Sequence, residues 1–363
     1  MYEAVHCART FKSEPMIPRL DRVVEAVQTN CHIADARHAG DLTLCTYLLA
    51  MREFYRWEHG TAFAEQPPRA EIGAWIAERE TLWESLADAD FLPLPLEGTQ
   101  FEPFDSPAIN EALAPHGLVY GAGVAHFGKP QFFLGELKRR EERNGLRILV
   151  AGCEYARNLT AAPATLLDTT IQLRQESLRR WLWEKFEGWG VKKPGGALHA
   201  ALLAYGFDLD PEAALARMAD AEGETMILHE LGEFEAGQLL GGEWQAMCAG
   251  FTGRRAELVA RALRDNLADC LVTLPTLLDR GAARSIHFWF SNFDGIRREL
   301  FPRLADTYAA WCEGNQGAFA AAIAAGREHW LDRCELALSL HRDRGAGAES
   351  PIAGLLDAAD ARL

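Results

Sequence analysis

The sequence lacks the features that mark secreted, membrane-spanning and nucleic-acid-binding proteins. It begins MYEAVH, without a basic segment followed by an apolar run, and no stretch approaches the ~18 apolar residues that a membrane span needs. Lys and Arg total 37 against 52 Asp and Glu, a net charge of −15, and no basic stripe is sustained. These absences predict a cytoplasmic protein that binds neither membranes nor nucleic acids.

Several chemical signatures are also missing. The eight cysteines are scattered without any C-x-x-C pair, which predicts reduced, mostly buried thiols and gives no support to a structural zinc site or an iron–sulfur cluster. The chain has no G-x-x-x-x-G-K-[ST] loop and no G-x-S-x-G elbow, so nucleotide hydrolysis and serine-hydrolase chemistry have no sequence support.

The composition is that of a globular protein, with 48% hydrophobic and 25% charged residues, and most of the chain has helical periodicity. The predicted fold is mostly α: a multi-helix bundle on which a small three-stranded antiparallel β-meander packs at 117–153. Asn144-Gly145 between apolar runs is a strong hairpin signal there. Helix is predicted again over 165–187. We predict an N-terminal helical region at 1–188, a C-terminal helical bundle at 197–343 and a flexible tail at 344–363.

The most informative cluster is His229-Glu230-Leu231-Gly232-Glu233. On a helix, His229 and Glu233 lie one turn apart on the same face, and Glu230 is adjacent to Glu233. This is the geometry with which helical bundles hold metal ions between His and carboxylate side chains. We therefore predict His229 and Glu233 as metal ligands, with Glu230 as a ligand or a general base. Gly232 within this helix suggests close packing against a neighbour.

Two other interpretations of the cluster stay open. It can be the solvated face of an ordinary amphipathic helix with an incidental histidine, and general caution about short motifs slightly favours that interpretation. The segment also begins like the H-E-x-x-H motif of zinc peptidases, but Glu233 stands where the second histidine should be. A zinc peptidase would lack a defining ligand.

A second candidate set is His32, Asp35 and His38, with the His/carboxylate composition of many iron, zinc and manganese sites. Joined to the first cluster, it would supply about five ligands to one site. The alternative is that these residues are polar contacts between helices, with Asp41 as the N-cap of the helix predicted at 41–58. Nothing in the sequence shows that residues 32–38 and 229–233 meet.

A third set lies in and after the meander. Glu136 in an apolar strand would need a partner if buried, and Arg157 is a natural one. Structural pairing is the favoured explanation, by about two to one. The functional alternative is an anion-binding arginine, so Arg157 and His126 are the candidate substrate-binding residues.

Three stretches resemble an uncharacterised family of conserved bacterial proteins: 31–58, 131–164 and LHELGE at 228–233. The resemblance covers most of the chain. It implies no activity, so it assigns no role to any residue.

The first functional hypothesis is a metal-dependent oxidoreductase acting on a small molecule. Its cofactor would be iron, with manganese or zinc as alternatives. The second is a non-enzymatic interaction or assembly protein whose partner surfaces are the aromatic segments at 54–57, 181–183 and 288–290. The third is a metal-dependent hydrolase. The sequence does not predict an oligomeric state.

Overall fold

A computed structural model describes residues 20–125, 128–190, 195–358 and 362–363. The chain forms two compact units, Met1–Lys185 and Phe186–Leu363. Both contain helices, and the sheets belong to the first unit. Among the described residues, no helix combines the length and the apolar character needed to cross a membrane.

The first unit is built from helices around a sheet. Its helices are α1 (Leu20–His38), α2 (Leu44–His59), α3 (Arg69–Leu86), α4 (Ser106–Leu113) and most of α5 (Gln175–Gly190), whose last residues belong to the second unit. Helix α1 contains His32, Asp35 and His38. The N-cap of α2 is Thr43, whose side chain accepts from the Thr46 N–H, so the prediction of Asp41 as the cap was wrong.

Two sheets accompany these helices. A short antiparallel pair is formed by β1 (Leu94–Leu96) and β2 (Thr99–Phe101). The main sheet has the strand order β3-β4-β5-β7-β6. Its strands are β3 (Leu118–Ala125), β4 (Lys129–Arg143), β5 (Leu146–Arg157), β6 (Ala164–Leu167) and β7 (Thr170–Arg174).

The predicted three-stranded meander is only part of this sheet. Strands β3, β4 and β5 do pair antiparallel, and Asn144 and Gly145 both take positive φ in the β4–β5 turn, as a tight hairpin requires. The helix predicted from 165 is wrong at its start, because 164–174 forms the β6–β7 hairpin. Strand β7 pairs in parallel with β5, so the sheet is five-stranded and mixed.

One core of this unit lies between α1 and the sheet. Val23, Val27 and Cys31 on α1 are buried in the same cluster as Tyr120 and Phe132 of the sheet. A second cluster is aromatic and is formed by α2 and α3, with Phe54, Tyr55, Trp57, Trp75 and Trp83 as members.

The second unit is helical throughout its described residues. Asp210 caps α7 by accepting from the Ala213 N–H, and Pro211 occupies its first turn. The elements are α6 (Gly196–Tyr205), α7 (Pro211–Leu240), α8 (Gly242–Ala249), α9 (Arg254–Ala268), α10 (Leu274–Asp279), α11 (Ala283–Ser291), α12 (Gly295–Leu300), α13 (Pro302–Cys312), α14 (Gln316–Arg344) and α15 (Glu349–Gly354).

The segment 344–363, predicted as a flexible tail, contains α15 and packs on the helices before it. Ile352 and Leu355 are buried. The Glu349 carboxylate accepts from the N–H groups of Thr252 and Gly253, at 2.7 and 2.8 Å, just before α9 begins. A Gly/Ala-rich composition suggested fraying, but the few apolar residues in the segment are enough to dock it.

A buried ion pair joins β5, β7 and α5. Arg174 donates from Nε and from a terminal nitrogen to the two oxygens of Glu154, and both side chains are almost wholly inaccessible. The Ser177 N–H and hydroxyl also donate to Glu154. Such a fully bonded pair stabilises the junction only while both partners are present.

Replacing Glu154 with Gln is expected to lower the free energy of unfolding by about 3–5 kcal/mol, because it leaves Arg174 buried without its carboxylate. Urea denaturation at neutral pH measures the change. The matched control is Glu141→Gln, which removes the partly exposed pair with Arg143 at 2.6 Å. That substitution should lower the free energy of unfolding by no more than about 1 kcal/mol.

Glu154 should also make the free energy of unfolding depend on pH in the acid range. Burial raises the pKa of Glu154, but Arg174 and Arg157 outweigh burial and hold this pKa at about 2. A carboxyl with a depressed pKa stabilises the fold above its unfolded pKa, roughly 4.3, and loses that contribution as the pH falls toward 2. E154Q should therefore lose less stability than the parent protein between pH 5 and pH 3. Equal losses would contradict the assignment.

Candidate metal centre

Two facing helical segments of the second unit each present a pair of ionisable side chains one turn apart. His229 and Glu233 lie on α7, and Asp265 and Asp269 lie on and just after α9. His229 Nδ1 is 2.9 Å from Asp269 Oδ1, and His229 Nε2 is 3.5 Å from Glu233 Oε1. The rest of the site is arranged around this histidine, whose two ring nitrogens face carboxylates on different segments.

Gly232 permits the close approach of these segments. A Cβ at this position would lie 2.5 Å from the backbone oxygen of Ala268. Only a residue without a side chain leaves α7 and α9 in contact at this distance. The close packing that Gly232 suggested in the sequence is therefore present. Its partner, Ala268, directly precedes Asp269.

Asp269 begins a π-helical segment, Asp269–Thr273, between α9 and α10. Pro275 follows near the start of α10. Proline has no N–H to donate, and in a regular α-helix its ring would collide with the carbonyl four residues earlier, here that of Leu271. The wider turn relieves this conflict, and such turns are frequent at functional sites.

Arginines hold the outer sides of the carboxylates. Arg297 of α12 pairs with Asp269 through the oxygen that His229 does not use, and its guanidinium lies over the Trp289 and Phe293 rings. Arg264 of α9 approaches Glu233 Oε2 at 2.7 Å and Asp265 Oδ1 at 3.3 Å. Glu233 Oε1, the oxygen nearest His229, is not in that contact.

The cluster holds four carboxyls, and the basic groups beside them are His229, Arg261, Arg264 and Arg297. Burial lowers the pKa of His229, but Asp269 and Glu233 outweigh burial and raise it well above its ordinary value. Burial, reinforced by the charge of Glu233, raises the pKa of Glu230 to about 7 and also raises that of Asp265. The positive charge of Arg264 opposes the shift at both carboxyls.

The donor atoms of His229, Glu233 and Asp265 all lie within 4.8 Å of one another. Within the part of the chain that the structure describes, this is the only group of three His, Cys, Asp or Glu side chains with such spacing. Asp269 orients the His229 ring by pairing with Nδ1, so that Nε2 faces Glu233. Histidines that bind metal ions commonly have such a carboxylate partner on their other nitrogen. About a quarter of the His229 side chain is exposed, so solvent reaches the group.

Sequence reasoning did not select Asp265 as a ligand, although the spacing of Asp265 and Asp269 carried a signal. Two aspartates one turn apart repel each other unless each is paired or metal-bound. In the structure each aspartate has its own partners. Asp269 pairs with His229 and Arg297, and Asp265 pairs with Arg264 and Arg261.

The predicted ligands His32, Asp35 and His38 lie on α1 in the first unit, and the structure does not bring them together. His32 Nε2 accepts from Arg79 at 2.8 Å; burial and this neighbouring cation lower the pKa of His32 to about 3. A metal ion at His32 would meet the Arg79 charge. Asp35 accepts from the Asn158 side chain at 3.0 Å and the Leu159 N–H at 2.8 Å.

His38 pairs with Asp41 instead, at 3.4 Å, and Asp41 also holds Lys129 at 2.9 Å. His38 and Asp35 line a small cavity of about 30 Å³, room for a water molecule or two. His32 thus makes a polar contact between helices, to α3, as the alternative had it, whereas Asp35 contacts the residues that follow β5 and His38 contacts Asp41.

Of the predicted substrate-binding residues, His126 lies outside the described residues. Arg157 is buried at the end of β5. Its expected partner Glu136 is instead partly exposed and pairs with Lys138 at 3.1 Å, while the nearest contact of Arg157 to a carboxylate is 3.8 Å, to Glu154.

The aromatic segments proposed as partner surfaces are mostly interior. Phe54, Tyr55 and Trp57 belong to the buried aromatic cluster, and Trp183 is buried as well. Phe288, Trp289 and Phe290 are also buried. Their enrichment in the sequence therefore reflects core packing, and they do not form an exposed surface.

Family models match the chain twice. Residues 22–174 match the N-terminal domain and residues 179–359 the C-terminal domain of a family of unknown function, DUF6866. The resemblance to an uncharacterised conserved family is thus confirmed. No curated protein and no solved structure matches the chain.

Replacing Gly232 with Ala is expected to destabilise the protein by about 1–3 kcal/mol, since the new methyl group forces α7 away from Ala268. The matched control is Gly237→Ala on the same helix, where a Cβ meets nothing within 4 Å. That change should stabilise by up to about 1 kcal/mol through helix propensity alone. Denaturant unfolding of both variants tests the contact, and equal effects of the two changes would count against it.

Proposed function

We propose that this chain, which belongs to the DUF6866 family of unknown function, is a metal-dependent enzyme that acts on a small molecule. His229, Glu233 and Asp265 are the proposed ligands. The observation that carries the proposal is the convergence of one imidazole and two carboxylates within 4.8 Å, with Asp269 bonded to the far nitrogen of the imidazole.

The charge of the site supports a cation. Glu230, Glu233, Asp265 and Asp269 lie beside His229 and the guanidinium groups of Arg261, Arg264 and Arg297, so the carboxylates outnumber the cations by one when the imidazole is neutral. A divalent ion on His229 Nε2 would supply the missing positive charge and displace the proton from that nitrogen. Asp269 would keep the ring oriented, and Arg264 would keep Glu233 Oε2, leaving Oε1 for the ion.

The donor set narrows the choice of ion. It has one imidazole and two carboxylates, not the two imidazoles and one carboxylate of the iron(II) oxygenase triad. Mixed nitrogen and oxygen ligands on helices suit iron and manganese, as in carboxylate-rich helical bundles, and also suit zinc. We propose iron or manganese as the ion and redox chemistry as the reaction class.

Metal-dependent hydrolysis is the second candidate, and the position of Glu230 favours it. Glu230 follows a proposed ligand directly, is coupled to the charges of His229 and Glu233, and has a pKa raised to about 7. A carboxyl with a pKa near neutrality beside a metal-bound water can act as a general base. Zinc would be the ion in that case.

The metal-free full-length protein is expected to bind one Fe²⁺ or Mn²⁺ per chain in anaerobic calorimetric titrations. Binding should release a proton at neutral pH and tighten as the pH rises, because His229 must lose its proton to bind the ion. His229→Ala and Glu233→Gln should each abolish stoichiometric binding.

His38→Ala is the matched control for that titration. It also removes a histidine from an ion pair, but His38 lies outside the proposed group, so binding should be retained. Circular dichroism checks that each variant is folded. The proposal would be contradicted if the folded parent protein bound none of Fe²⁺, Mn²⁺ or Zn²⁺ stoichiometrically. Zinc binding accompanied by turnover of ester or amide substrates would favour the hydrolase.

A further inference from the structure

The first unit buries four arginines near one another: Arg56, Arg157, Arg174 and Arg180. Three of them have their own carboxylates. Arg56 pairs with Glu53, Arg174 with Glu154, and Arg180 with Glu176. Arg157 has no carboxylate of its own, since its 3.8 Å approach to Glu154 is to an acid that already takes two hydrogen bonds from Arg174.

Arg157 at the end of β5 and Arg180 on α5 both contact α2, at residues one turn apart. Arg180 donates to the backbone oxygen of Glu53, and the Arg157 guanidinium lies 5.8 Å from the Trp57 ring centre. Phe63 similarly lies beneath Arg180, at 5.5 Å. Aromatic faces hold planar guanidinium groups in fixed orientations.

Each of these two side chains retains a donor that nothing in the described part of the chain accepts from. The unpaired atoms are a terminal nitrogen of Arg157, Nη1, and Nε of Arg180. Both residues are more than nine-tenths buried. Buried guanidinium N–H groups without acceptors are costly, and a bound ion is one way to satisfy them. The two side chains are close enough for their charges to interact.

The balance of charge agrees with this placement. Burial lowers the pKa of Arg157 to about 10, and the nearby positive charges of Arg180 and Arg174 lower it further, while Glu154 opposes them. Glu53 is the acid closest to the pair along α2. Its Oε1 contacts Arg52 and Arg56, at 3.1 and 2.7 Å, and its Oε2 is buried without a hydrogen-bond partner among the described residues. Asp35 interacts with Arg157 only through its charge, and its oxygens accept from Asn158 and Leu159.

We propose that Arg157 and Arg180 form a binding site for an oxyanion, the phosphate or carboxylate group of a small ligand. Guanidinium groups recognise both kinds of anion through paired, charge-assisted hydrogen bonds. The site lies in the first unit and is independent of the proposed metal centre, so either proposal can stand without the other.

The test is calorimetric titration of the full-length protein with inorganic phosphate and with acetate, at constant ionic strength in a chloride background. Saturable binding of one anion per chain is expected. Phosphate binding without acetate binding would assign a phosphorylated ligand, and the reverse a carboxylic acid. Absence of saturable binding of either anion would overturn the proposal.

Arg157→Lys keeps the charge but removes the guanidinium fork, and should weaken the binding by about tenfold or more. Arg180→Lys should act similarly. Arg140→Gln is the control, because Arg140 is exposed on β4, and it should bind like the parent protein. Circular dichroism establishes that the lysine variants are folded. Parent-like affinity in a folded Arg157→Lys variant would place the anion elsewhere and overturn the assignment.

Discussion

The contact between Gly232 and the backbone of Ala268 is the constraint on which the second unit's polar site depends. It brings α7 against the end of α9, and this proximity lets His229 engage Asp269 while Glu233 faces Asp265. Hydrogen bonds of ~3 Å tolerate little displacement. A side chain at position 232 would separate the two pairs of ionisable groups before it affected either helix by itself.

Local signals in the sequence predicted the local structure well. The Asn144-Gly145 turn lies where it was predicted, the chain is mostly helical as its periodicity indicated, and Gly232 makes the close contact that its place in the helix suggested. His229 and Glu233 were identified from helical spacing alone. These features depend on residues within a turn or two of one another, which is the range over which such rules apply.

Features that depend on distant residues were missed. The β6–β7 hairpin was predicted as helix because its stability comes from parallel pairing with β5, which no local pattern records. Similarly, Asp265 belongs to the candidate site because it lies close to Glu233, a residue of another helix. The Nε2 atom of His32 is occupied by Arg79, which is 47 residues away along the chain. Short-range spacing suggested that His32, Asp35 and His38 were equivalent, whereas in the structure His32 and Asp35 have partners distant in sequence and His38 pairs with Asp41, three residues away.

The π-helical turn at Asp269–Thr273 has a consequence for how this chain tolerates change in length. A π turn holds one more residue than an α turn, so it is equivalent to a single-residue insertion in a longer helix. Deleting one residue there would restore regular α-helix and rotate one flank relative to the other by roughly 100°. Asp269 lies at the start of the π-helical turn and Pro275 lies after it. Such a deletion would therefore rotate either the Asp269 carboxylate away from His229 or helix α10 away from its present contacts. Substitutions in this turn are thus far better tolerated than changes in its residue count.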